Sequence, residues 1–88
     1  MHAVRWLPVA RNALDVIWDR TPIPRRPVLT EAIDEITRQL RDFPYEIGES
    51  RDGNSRVAFI GRMTVAYTID SIEQVVYVDR ISETRRQQ

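Results

Sequence analysis

The chain has 88 residues, with 13 basic and 13 acidic side chains that cancel at neutral pH, one histidine and no cysteine. This is the length of one domain, burying only somewhat more than the roughly 60% of unfolded-chain surface expected at sixty residues; without cysteine it has neither disulfide staples nor thiolate metal sites, and its balanced charge argues against indiscriminate attraction to nucleic acid. No apolar run approaches the roughly 20 residues of a membrane-spanning helix, and the apolar part of the N-terminal MHAVRWLPVAR is too short for a secretory signal, so a cytoplasmic chain with no membrane partner is expected.

At the start, His2 to Leu7 places Val4 and Trp6 at a spacing of two and predicts a short first strand. Pro8 suits the first turn of a helix, and Ala10, Ala13, Leu14, Ile17 and Trp18 follow at three- and four-residue spacings, which predicts an amphipathic helix over Val9 to Arg20. Thr21 to Pro27 (TPIPRRP) carries three prolines in seven residues and reads as a stiff connector.

From Val28 the helical period returns. Leu29, Ile33, Ile36, Leu40 and Phe43 form one apolar stripe, and Pro44 ends it. The opposite face carries Glu31, Asp34, Glu35, Arg38, Arg41 and Asp42 and reads as solvated, with Asp34 and Arg38 spaced to pair.

Beyond Pro44 the period changes to two. Val57 and Phe59, then Val65, Tyr67 and Ile69, then Val76 and Val78 each alternate with small or polar residues, and a further short strand fits Glu46 to Arg51. Asp52-Gly53-Asn54, Gly61-Arg62 and Asp70 to Glu73 supply the reversals, which implies an antiparallel meander. The expected fold class is α+β: strand, helix, helix, then three or four strands, with both helices on one sheet face, in a single domain over residues 1–88 whose last six residues fray.

Taken together, VRWLPVARNALDVIWD, LTEAIDEITRQLRDFP, GESRDGNSRVAFIGRMTVAYTID and QVVYVDRIS resemble the RelE/ParE superfamily of toxins from bacterial type II toxin–antitoxin systems, over about residues 3 to 82. The resemblance implies a toxin neutralised by a cognate antitoxin. Its RelE-like branch cuts messenger RNA at the ribosome as a metal-independent endoribonuclease, and this is the activity the sequence reading favours; the alternatives are the ParE-like branch, which poisons DNA gyrase without cutting nucleic acid itself, and a degenerate member that would only bind. No cofactor is implied.

Within that resemblance Glu49 stands where some RelE-like nucleases hold a general base, and Arg51, Arg56, Arg62 and Arg80 are the candidate cations, since arginine presents a planar, permanently charged donor to phosphate. All 13 basic residues are arginine, a bias that codon usage also explains. Thr64 occupies the place where ribosome-dependent nucleases carry a key arginine, and Arg62, two residues earlier, is expected on the same strand face as a partial substitute, roughly 7 Å further along. SETRRQQ offers no counterpart to the C-terminal aromatic or histidine acid of active nucleases. On residue type alone, Glu49 suits a surface ion pair with Arg51 or Arg56 better than a base, and Tyr67 suits the core better than catalysis.

Overall fold

The two apolar helix stripes and the inward-facing strand residues meet on one side of a single five-stranded sheet. The computed structural model describes residues 1–84, so the frayed tail expected at Arg85 to Gln88 lies outside the described residues. Along the chain run β1 (Ala3–Trp6), α1 (Pro8–Arg20), a 3₁₀ turn (Ile23–Arg25), α2 (Arg26–Asp42), β2 (Glu49–Ser50), β3 (Ser55–Ile60), β4 (Met63–Asp70) and β5 (Val75–Glu83). The sheet order is β1-β5-β4-β3-β2. All neighbours are antiparallel except β1, which lies parallel to β5, and the α+β class expected from the sequence is the one observed.

The core is built from α1 (Ala10, Ile17), α2 (Ile36, Leu40) and alternate residues of the sheet (Ala58, Ile60, Met63, Val65, Tyr67, Ile69, Val76, Val78, Ile81), with Val4 and Trp6 of β1 packed at its margin. Each fully buried aliphatic side chain in this set contributes about 1.5–3 kcal/mol by leaving water. Among the described residues, no helix is long and apolar enough to cross a membrane.

Four local expectations are corrected. Pro27 lies inside the first turn of α2, where its missing N–H costs no helical bond, so the connector is shorter than the proline count suggested. On the solvated face Arg38 pairs with Glu35, through Nε to Oε1 at 3.0 Å, and not with Asp34. Glu83, grouped in the sequence with a frayed tail, is the last residue of β5 and pairs with Met63.

The phase of β3 is the fourth. Val57 and Phe59 look like its apolar set, yet Ala58 and Ile60 face the core, at 1% and 6% exposure, and Phe59 is 62% exposed. The two-residue Gly61-Arg62 turn pairs Ile60 with Met63, and therefore Ala58 with Val65 and Arg56 with Tyr67. Hairpin register outranks local hydrophobicity here.

Candidate functional site

Both helices sit on the face bearing Met63, Val65, Tyr67 and Ile69, which leaves the opposite sheet face uncovered among the described residues. Strand parity places Glu49 of β2, Ser55, Val57 and Phe59 of β3, Thr64, Ala66 and Thr68 of β4, and Tyr77 and Arg80 of β5 on that open face. Glu49, Val57, Ala66 and Arg80 are consecutive partners across four strands. At about 4.8 Å per strand, Glu49 and Arg80 are therefore roughly 14 Å apart on one rung.

A break in the β4–β5 register between Ala66 and Tyr67 leaves Asp79 as an extra residue beside Arg80. Such a bulge turns two consecutive side chains toward one face. The Asp79 carboxylate accepts a hydrogen bond from Thr68 Oγ1 at 2.6 Å, and Thr68 in turn faces Ser55 Oγ at 3.5 Å. An acid and two hydroxyls thus meet at the middle of the open face, with Arg80 adjacent to the acid along the strand.

The covered face is closed at one end by a clamp on the segment after α2. Buried Tyr67 donates its hydroxyl to the Pro44 carbonyl at 2.7 Å, and Arg56 Nη2 donates to the carbonyls of Tyr45 at 2.9 Å and Gly48 at 2.6 Å. Burial raises the Tyr67 pKa above its ordinary value, an effect moderated by the neighbouring Arg56 guanidinium. Gly48 is held against the Tyr67 ring, with no room for a side chain.

Other proteins share this architecture. Over 93% of this chain and 90% of the other, it matches a chain of the Mycobacterium tuberculosis toxin–antitoxin complex RelBE2 at 24% identity and a TM-score of 0.71. It matches a chain of the Pseudomonas aeruginosa chromosomal ParDE system over 97% and 98% at 18% identity and 0.72, and the isolated Escherichia coli RelE toxin over 100% and 89% at 13% identity and 0.64. The chain has the RelE/ParE toxin fold. No family model matches the sequence, and no curated protein matches it.

On this RelE/ParE framework the five candidates separate into four places. Glu49 and Arg51 stand together at the sheet margin as an exposed ion pair, Arg51 Nη2 lying 3.8 Å from Glu49 Oε2. Arg80 is on the open face beside Asp79. Arg56 points to the helix-covered side and spends its donors on main-chain carbonyls, its Nε buried with no partner among the described residues.

Arg62 falls in the turn before β4, where strand parity no longer applies, and lines a groove with Thr21, Pro22, Arg25 and Glu83 at the other end of the molecule. Asp79 is the open-face residue that sequence reading passed over. The bulge turns it to the same face as Arg80, and its one trace in the sequence is the step from a spacing of two to three between the core residues Val76, Val78 and Ile81.

Proposed function

We propose that this chain is the toxin of a type II toxin–antitoxin pair and that it acts by binding, in the ParE-like manner, with DNA gyrase as target and a cognate antitoxin as its neutralising partner. The fold supports the toxin reading; the disposition of the arginines supports the mode. Stabilising a pentacoordinate phosphate takes preorganised cations aimed at one point. Here Arg51 is paired with Glu49, Arg56 is engaged by carbonyls and Arg62 lies off the face, which leaves Arg80 alone of the four. The open face, with exposed Phe59 flanked by Val57 and mixed charges, suits a protein partner better than a phosphodiester.

Endoribonuclease activity is the second reading, favoured by one observation: Asp79, Thr68 and Ser55 form a hydrogen-bonded cluster on that face, with Arg80 next to Asp79 along β5. In it Asp79 would accept the 2′-hydroxyl proton and Arg80 would face the phosphate. Induced expression in a bacterial host separates the two. Growth arrest with accumulated cleaved gyrase–DNA complexes and intact messenger RNA is the expected result. Messenger RNA cut at translating ribosomes, and spared by Arg80→Ala, would replace binding with cleavage.

A further inference from the structure

One rung of the open face is complementary to itself. Glu49, Val57, Ala66 and Arg80 are consecutive partners on β2, β3, β4 and β5, with an acid at one end, a base at the other and two apolar side chains between them. Arg80 is exposed and makes no ion pair among the described residues. Glu49 has only a loose one, 3.8 Å from Arg51, with both side chains more than half exposed.

A two-fold axis parallel to the strands and passing between β3 and β4 exchanges β2 with β5 and β3 with β4. Two sheets packed face to face across it, about 10 Å apart, set Glu49 of each copy against Arg80 of the other, and Val57 against Ala66. The rungs on either side agree: Phe59 meets Thr64, and the Ser55 hydroxyl meets that of Thr68. The two large side chains that β3 offers to this face thus each oppose a smaller one of β4, as interdigitating layers require.

The geometry points to a homodimer of this chain, built on the open face by that axis and held by two reciprocal Glu49–Arg80 pairs around a centre of Val57, Phe59 and Ala66. Charge decides the occupant. A polyanion along the rung would meet Glu49 and Asp79 as well as Arg80, and a partner of one sign would satisfy one end and oppose the other; a second copy satisfies both. Asp79, the acid nearest the pair, already accepts the Thr68 hydroxyl. Four inter-strand spacings of about 4.8 Å by six residues of about 3.3 Å make a flat face of roughly 400 Å², against about 800 Å² from each partner in a standard interface. The dimer is therefore weak and forms as concentration rises. A paired face is closed to any target, a consequence for activity that rests on the gyrase reading; the pairing itself is measured on the purified chain, so the two can fail separately.

The test is sedimentation velocity of the full chain over a range of concentrations, with amide chemical shifts followed in parallel. A monomer–dimer equilibrium that weakens as salt rises, with the amide signals of Val57 and Ala66 moving as the dimer forms, is expected. Glu49→Arg and Arg80→Glu each bring like charges together twice per dimer and should weaken self-association about tenfold or more. An equimolar mixture of the two variants should dimerise like the parent, because each 49–80 contact between unlike copies is again an acid on an arginine. Both substitutions are exposed, and native circular dichroism checks that they leave the fold intact. A chain that stays monomeric up to about 100 µM overturns the proposal. So does a dimer indifferent to both substitutions, a mixture no stronger than its components, shifts confined to the helices, or a monomer that binds a uridine oligonucleotide through Arg80 instead.

Discussion

A methyl group at Gly48 would collide with the Tyr67 hydroxyl, which is fixed in place by its bond to the Pro44 carbonyl. The ring has no free rotamer to escape into, because Tyr67 is fully buried. Gly48→Ala should therefore destabilise the chain by about 1–3 kcal/mol in urea unfolding, as overpacking does. Tyr67→Phe should cost about 1–2 kcal/mol by leaving the carbonyl unpaired, and the double variant should cost less than the sum, since the missing oxygen makes room for the methyl. Strict additivity would mean the two residues do not touch. Tyr67 as core was legible from the alternation of Val65, Tyr67 and Ile69; the clamp was not, because it joins side chains to main-chain carbonyls of a segment with no periodicity. Arg56 was legible in principle, since counting back from the two-residue turn at Gly61-Arg62 sets it opposite Tyr67. Val57 and Phe59, the stronger hydrophobes, pointed the other way.

Helix α2 keeps its acidic face in order through short-range pairs. Glu35 accepts bonds from Arg38 and from Gln39, and its pKa is lowered from 4.5 to about 2, chiefly by the Arg38 hydrogen bond. A carboxyl depressed in the folded state stabilises above its unfolded pKa, and that stabilisation fades as pH falls from 4.5 toward 2. Glu35→Gln should accordingly lower stability at neutral pH, with the two unfolding curves converging near the acid end; because the pair is exposed, added salt should narrow the difference too. A gap that persists unchanged in strong acid would rule out the carboxylate as its source. The helix itself was plain from Leu29, Ile33, Ile36 and Leu40. Its start was not, because Pro27 reads equally as a breaker or as a first-turn residue, and only the 3₁₀ turn at Ile23–Arg25 decides between them.

Across the chain, helices on one face and none on the other give the protein two unlike sides, and Phe59 is the largest apolar group on the bare one. Phe59→Glu should abolish growth arrest while shifting stability by no more than about 0.5 kcal/mol, as exposed substitutions do. Arrest that persists in this variant would remove the open face from the mechanism. The parallel pairing of β1 with β5 carries a separate implication. Ala3 donates to the Gln74 carbonyl and Leu7 to that of Val78, so the first strand made during synthesis bonds to the last. Contacts this distant in sequence form slowly, because a long loop must close before they reward it. While β5 is still within the ribosome, β1 has no partner and the sheet is unfinished. The open face of a growing chain is therefore incomplete until translation is nearly over, and whatever that face binds can be met only by a chain whose two ends have already joined.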